Sequence, residues 1–112
     1  MKPIITVDIE TYSPQDIKTV GAYRYAQDPD FQILLLGYVN EDSDTPRVLD
    51  LTSWPDTKHF LREQLPWLLD DGYTKRAHNA AFEWWCLSEA MGLSWEERTE
   101  WLSQWECSMV HA

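Results

Sequence analysis

Two carboxylates, Asp8 and Glu10, stand two positions apart in the apolar run "IITVDIETYS" near the start of the chain. Side chains at alternate positions of a strand project from the same face, roughly 7 Å apart along the strand. Both acids are ionised at neutral pH, and neighbouring like charges without a partner are unfavourable. Divalent cations that prefer oxygen ligands can compensate such a pair. The spacing therefore predicts a metal site, with a strand end emerging into solvent as the alternative.

Glu83 is the best candidate for a third carboxylate of the same site. It follows "AHNA" near the start of an apolar segment that reads as a helix. In α/β sheets, reactive side chains gather where strands end and helices begin. We therefore expect Glu83 to lie near Asp8 and Glu10, although an acid in a first helical turn is also stabilising by itself.

The elements that must position these acids follow from the apolar patterning. Strands are predicted in "PIITVDIE", "FQILLLGYVN" and "RVLDL", the last two forming a hairpin. "SPQDIKTVGAYRYAQDPD" is expected to be a connector with at most one short helical turn. We expect packing of that turn, rather than contact with nucleic acid, to explain its two tyrosines.

The second half of the sequence is predicted to be mostly helical. Helical spacing begins at Pro55, with Pro66 splitting the helix and Gly72 ending it. A short strand in "TKRA" precedes a helix that ends near Gly92, and Ser94 with Glu97 forms a capping-box signature for another helix. The resulting order, β-β-β-α-β-α-α, indicates an α/β mixed sheet with an antiparallel start.

Composition narrows the class of protein. The chain has 112 residues, 44% of them hydrophobic, which fits a single domain over 1–112. A net charge of −10 argues against a free-standing binder of phosphate backbones, although a metal held by acids can still face a phosphate. No segment is long and apolar enough to predict a membrane span, and two separate cysteines, Cys86 and Cys107, suit a reducing cytosol.

"VDIET" on a first strand and "HNAAFE" at a helix start together resemble the DEDD (DnaQ-like) 3′-5′ exonuclease superfamily. The segments "DIKTVGAYRYAQDPDFQILLLGY" and "WECSMVHA" resemble the N-terminal exonuclease domain of bacteriophage-type family A DNA polymerases. The resemblance runs along nearly the whole chain. It implies a ribonuclease H-like fold, with a three-stranded antiparallel start followed by α-β-α.

The resemblance also implies roles for particular residues. Asp8, Glu10 and Glu83 match the family's catalytic and metal-binding acids, Glu83 standing where the family usually has Asp. Two Mg²⁺ or Mn²⁺ ions would activate water and stabilise the leaving 3′ oxygen. Substrate contacts with the 3′ end of single-stranded DNA are implied for three further residues: Thr11, Asn79 and Phe82.

The family's third motif, a Tyr or His followed four residues later by Asp, has no counterpart here. The sequence contains no aspartate after Glu83, and His111 is followed only by Ala112. The chain is therefore expected to be the front portion of an exonuclease domain, C-terminally incomplete and weakly active or inactive by itself. The missing segment or a polymerase domain would be its partner, and apolar surface left exposed favours such pairing or self-association.

Two functions from different classes follow. The first is a divalent-metal-dependent proofreading exonuclease of a phage-type polymerase, at work in the cytoplasm of a phage-infected or prophage-carrying bacterium. The alternative is a catalytically silent interaction or folding module that pairs with a separate polymerase chain. A glycosidase with paired carboxylates is a weaker idea, because both acids share one short strand instead of flanking a cleft.

Overall fold

A mixed sheet of five strands lies at the centre of the computed structural model, which describes residues 2–43, 45–53 and 56–108. The strand order is β3-β2-β1-β4-β5. Strands β1, β2 and β3 pair antiparallel, whereas β4 pairs parallel with β1, and β5 pairs parallel with β4. The strands are β1 Ile4–Tyr12, β2 Gln32–Asn40, β3 Arg47–Asp50, β4 Thr74–Ala77 and β5 Trp105–Cys107.

Helices pack on one face of this sheet. Within the described residues they are α1 Ile17–Gln27, α2 Thr57–Gln64, α3 Ala80–Met91 and α4 Trp95–Leu102. Each helix contributes to one apolar core together with alternate residues of β1. That core includes Ile5, Val7, Ile9, Ala26, Leu61, Leu87, Met91 and Trp101. No helix in the described ranges is both long enough and apolar enough to cross a lipid bilayer.

The predicted α/β class, the β2–β3 hairpin and the two C-terminal helices are confirmed. Helix α3 ends at Gly92, whose φ of 64° is the left-handed conformation that glycine adopts readily. Ser94 and Glu97 form both hydrogen bonds of a capping box at the start of α4. Pro66 splits the preceding helical segment as predicted. However, α2 already ends at Gln64, so the prediction that Gly72 ends it is wrong.

Helix α1 was not expected at its full length. The connector predicted to hold one short turn forms an 11-residue helix, capped by the Asp16 side chain on the Lys18 N–H. Gly21, with φ of 81°, interrupts its regular geometry. A glycine inside a helix weakens the sequence signal, and packing against α3 supplies the missing stability. The expectation that Tyr23 and Tyr25 pack is confirmed.

Strand β5 was missed by the sequence reading. The sequence predicts no strand here, but α4 ends at Leu102 and Trp105–Cys107 pairs with β4, with Cys107 opposite Ala77. A strand of three residues is too short to show periodicity and is defined only by its partner.

Candidate acid site

Successive side chains of β1 point to opposite faces of the sheet, which separates its acids from the core. Ile5, Val7 and Ile9 are buried on the helix-covered face, while Asp8 and Glu10 are exposed on the other. The two carboxylates therefore share one face, as their spacing predicts. Asp8 lies in the middle of the strand rather than at its end, because β1 continues to Tyr12. Within the described part of the chain, no helix covers this second face, which leaves both acids accessible.

Beside Asp8 the sheet surface is concave. Gly37 of β2 is the register partner of Asp8, and its missing side chain leaves room between the strands. A Cβ added there would meet the Asp8 carbonyl oxygen at 3.7 Å and Val48 Cγ2 at 4.0 Å, which are ordinary contacts. The concavity has a volume of about 220 Å³ and is lined by Thr6, Asp8, Gly37, Tyr38, Val39, Pro46, Arg47 and Val48.

Glu83 lies on the helix that follows β4, the strand on the other side of β1 from β2. The parallel pairing of β1 with β4 ends at Thr6 and Arg76, so Asp8 lies level with the turn that leads from β4 into α3. Glu83 occupies the first turn of that helix and is only 5% exposed. Its Oε2 atom is buried and has no hydrogen-bond partner among the described residues.

The electrostatics of Glu83 reflect this burial. Loss of solvent raises the pKa of the Glu83 carboxyl from 4.5 to about 7. A hydrogen bond from its own backbone N–H opposes that rise, and the negative charge of Asp8 adds to it. Asp8 and Glu83 therefore lie within electrostatic reach of each other. Near neutral pH, Glu83 is divided between its protonated and ionised forms.

The three acids offer the oxygen ligands that a hard cation needs, but within the described residues their side chains do not form one cluster. Carboxylate oxygens are the ligands that Mg²⁺ and Mn²⁺ favour, and a buried oxygen without a partner is what a cation would satisfy. However, within residues 2–43, 45–53 and 56–108 no group of three His, Cys, Asp or Glu side chains is close enough to hold a metal. Asp8 and Glu10 share the exposed face of β1, and Glu83 is buried on α3.

The residues implied as substrate contacts occupy different environments. The hydroxyl of Thr11 lies 2.9 Å from the hydroxyl of Tyr25 and is half-buried. Phe82 is also half-buried, with its ring 5.9 Å from that of Tyr25. Asn79 precedes α3, is exposed and makes no capping hydrogen bond through its side chain in the part of the chain that is described. Of the three, Asn79 is the most open to a ligand.

Sequence reasoning missed two contributors to the site. Gly37 lies in an apolar strand, and a glycine inside a strand often marks close approach of another group. That signal was available and points to the concavity beside Asp8. Tyr25 lies in a segment read as a connector, and its contact with Thr11 joins residues 14 positions apart, for which the sequence gives no cue.

The cysteines take no part in the acid site. Cys86 is buried inside α3, and Cys107 is half-buried on β5. Burial raises the pKa of the Cys86 thiol to about 12, with the charge of Glu83 adding to the rise. Cys86 is therefore an ordinary buried thiol, as expected from its isolation in the sequence.

The chain is similar in sequence to part of a phage protein. Over 108 residues, 96% of its length, the chain is 35% identical to a DNA polymerase of Bacillus phage SP02. Those residues make up 15% of that polymerase, so the chain spans a small part of its relative's length. No protein-family description and no solved structure matches the chain. The chain is thus related to a segment of a phage DNA polymerase.

Proposed function

We propose that the chain is a divalent-metal-dependent 3′-5′ exonuclease module of a phage-type DNA polymerase, with a ribonuclease H-like fold. The observation that carries the proposal is the buried Glu83 Oε2, which has no hydrogen-bond partner among the described residues, on a chain similar to part of a phage polymerase. A module of this kind works in the cytoplasm of an infected or prophage-carrying bacterium. Its partners are a DNA 3′ end and the rest of a polymerase.

The topology supports this assignment. Three antiparallel strands followed by two strands parallel to β1, in the order β3-β2-β1-β4-β5, agree with the ribonuclease H-like arrangement that the resemblance implies. In that arrangement the acids come from the central strand and from the helix after the fourth strand. Asp8 and Glu10 lie on β1 and Glu83 lies on α3, which supports their assignment to those positions.

Each acid has a role that its environment suits. A bound Mg²⁺ or Mn²⁺ supplies Lewis-acid stabilisation of the phosphodiester and a more acidic water. Asp8, exposed and central on β1, would be a ligand of the ion. Glu83 would release its proton on ion binding and satisfy Oε2, while Glu10 would orient water or the terminal nucleotide from the next position on the same face.

The open face gives a DNA strand access to these acids. The concavity beside Gly37 is apolar and borders Asp8, so it can accept the flat, uncharged part of a nucleotide while the phosphate faces the acids. Because the chain carries a net charge of −10, a phosphate needs a bridging cation at this surface. The proposed reaction is therefore strictly dependent on a divalent ion.

The decisive experiment measures release of the labelled 3′ nucleotide from a single-stranded oligonucleotide with Mn²⁺ or Mg²⁺. Loss of activity in Asp8→Asn and in Glu83→Gln is expected, whereas Glu63→Gln, an exposed acid on α2, should act like the wild type. Turnover is expected to be slow, because the sequence offers no aspartate after Glu83 to complete a fourth acid. Activity that survives Asp8→Asn would overturn the proposed site.

Calorimetry gives a second readout that does not depend on turnover. Mn²⁺ should bind the wild type and Glu63→Gln alike, and bind Asp8→Asn at least tenfold more weakly. Folding of each variant is checked by circular dichroism. A well-folded wild type that neither binds Mn²⁺ nor cleaves DNA would refute the exonuclease proposal for this chain.

A silent interaction module is the second candidate, and the uncovered sheet face favours it. Leu35 is 37% exposed and Val48 68% exposed on that face, which is unusual for apolar strand residues. On this reading the face binds the remainder of a polymerase, and the acids have no chemical role. Asp8→Asn would then leave association with a purified polymerase segment unchanged and abolish no activity.

A further inference from the structure

We propose that Tyr25 is the positioning residue of the acid site, because its side chain ties the strand that carries Glu10 to the helix that carries Glu83. The inference rests on the exonuclease function proposed above. It assigns to Tyr25 no contact with substrate or metal. The three-residue link Thr11–Tyr25–Phe82 is called the Tyr25 bridge below.

The first half of the Tyr25 bridge fixes the end of β1. The Tyr25 and Thr11 hydroxyls lie 2.9 Å apart, and the contact is partly shielded from water. Thr11 directly follows Glu10, and the register of β1 against β2 shifts between these two residues. Such a bulge turns neighbouring side chains away from their regular directions. The hydroxyl contact therefore holds the backbone at the point that sets the direction of Glu10.

The second half of the Tyr25 bridge fixes the start of α3. The Tyr25 ring lies 5.9 Å from the Phe82 ring at a tilt of 48°, and 5.9 Å from the Phe31 ring at 72°. Both arrangements are within the range of favourable aromatic pairs. Phe82 directly precedes Glu83 in the first turn of the helix. The ring contact therefore limits how far this turn can move from β1.

Tyr23, two residues earlier on α1, provides a matched comparison. Its hydroxyl accepts a hydrogen bond from Gln27 Nε2 at 2.6 Å, and its ring packs on Trp85 and Trp95. It is half-buried, as Tyr25 is, and each hydroxyl makes one side-chain contact. The Tyr23 contacts, however, join α1 to the middle of α3 and to α4. Removal of the Tyr23 hydroxyl thus controls for the general loss of one tyrosine hydrogen bond.

The experiment compares Tyr25→Phe with Tyr23→Phe in the intact chain. Tyr25→Phe is expected to weaken Mn²⁺ binding three- to tenfold, a size that fits loss of one net hydrogen bond. Tyr23→Phe should leave Mn²⁺ affinity within twofold of the wild type, even if both variants lose similar thermal stability. Thr11→Val, which removes the same contact from the other side, should reproduce the effect, and the double variant with Tyr25→Phe should add nothing further.

Amide hydrogen exchange tests the Tyr25 bridge without any metal. Tyr25→Phe, which keeps the ring on Phe82, should speed exchange around Thr11. Tyr25→Leu, which also removes the ring contact, should speed exchange in the first turn of α3 as well, whereas Tyr23→Phe should affect neither segment. Equal Mn²⁺ affinity and equal exchange in the two tyrosine variants would overturn the inference. If the wild type binds no Mn²⁺, the exonuclease proposal fails, and the exchange pattern still decides whether Tyr25 couples the two elements.

Discussion

The buried ammonium of Lys75 donates a hydrogen bond to the side-chain oxygen of Gln104, a residue 29 positions later in the chain. The same group donates to the carbonyl oxygens of Asp70 at 2.7 Å and Tyr73 at 3.0 Å. Lys75 lies on β4, and Gln104 immediately precedes β5. The buried Lys75 side chain thus links the turn before β4 to Gln104, the residue before β5, through hydrogen bonds from one ammonium group.

Lys75→Met is expected to destabilise the chain by about 1–3 kcal/mol at pH 7, since three partly buried oxygen acceptors lose their donor. Urea unfolding followed by tryptophan fluorescence measures the change. Lys18→Met, which removes an exposed ammonium on α1, is the matched control and should alter the free energy of unfolding by less than about 0.5 kcal/mol. A Lys75→Met protein as stable as the wild type would show that the apolar replacement offsets these hydrogen bonds.

The pH dependence of Lys75 has a definite sign. Burial lowers the pKa of its ammonium to about 8 from 10.5, with the nearby charges of Asp70 and Asp71 limiting the fall. Between these values the unfolded chain binds more protons than the folded chain, so the contribution of Lys75 to stability rises with pH. The stability difference between the wild type and Lys75→Met should therefore widen between about pH 8 and pH 10.5. A constant difference across this window would contradict the lowered pKa.

Glu83→Gln is expected to remove a pH dependence of the opposite sign. Because the pKa of Glu83 is raised from 4.5 to about 7, the folded chain binds a proton in this window that the unfolded chain has released. Stability should fall as pH rises from about 4.5 to 7, by up to about 1.4 kcal/mol per pH unit. Glu83→Gln should be nearly flat there, and Glu63→Gln should retain the wild-type slope. Urea titrations at four pH values suffice.

Mn²⁺ affinity should rise with pH if Glu83 helps to hold the ion. The ion must displace the Glu83 proton below the raised pKa, so affinity increases by up to about tenfold per pH unit below 7 and levels off above it. Calorimetry at pH 6, 7 and 8 measures the trend. Glu83→Gln should bind weakly with little pH dependence, whereas an unchanged steep dependence in that variant would assign the titrating group elsewhere.

Filling the concavity beside Asp8 should impair substrate use before it impairs folding. Gly37→Ala places a methyl group at ordinary contact distances of 3.7–4.0 Å, so the melting temperature should change by no more than a few degrees. KM for a single-stranded oligonucleotide should rise several-fold. Gly37→Leu should raise KM further, which gives a graded series on one position. Equal KM values across the series would mean that DNA does not enter the concavity.

Ser94→Ala should cost about 1 kcal/mol of stability through loss of the α4 cap. The Ser94 hydroxyl accepts a hydrogen bond from the Glu97 N–H at 3.1 Å, and the Glu97 carboxylate accepts one from the Ser94 N–H at 2.9 Å. Ser103→Ala, at the other end of the same helix, is the control and should cost less. Thermal unfolding of the two variants decides the comparison.

Local signals made part of this fold predictable from sequence. The alternation of β1, the capping box at Ser94 and the glycine after α3 each depend on a few adjacent residues, and all three appear as expected. Elements held by distant partners were harder to predict. Strand β5 exists through its pairing with β4, and α1 is sustained by packing despite Gly21.

In the acid site, too, some features follow from adjacent residues and others depend on distant parts of the chain. Spacing alone places Asp8 and Glu10 on one face of a strand, and the helical start places Glu83 in a first turn. The burial of Glu83, its unpaired Oε2 and its electrostatic link to Asp8 depend on how α3 meets β1. The sequence pattern therefore predicts which acids to consider, while the perturbed chemistry of one of them is a tertiary property.

Only one face of the sheet that carries the acids packs against the hydrophobic core. Ile5, Val7 and Ile9 belong to the core, whereas Asp8 and Glu10 point to the face that no described helix covers. Replacing either exposed acid opens no cavity and removes a like-charge repulsion, so an inert copy would fold as well as an active one. Folding and the proposed chemistry therefore depend on different residues of the same strand, so a substitution at Asp8 or Glu10 should remove the proposed activity and leave the fold intact.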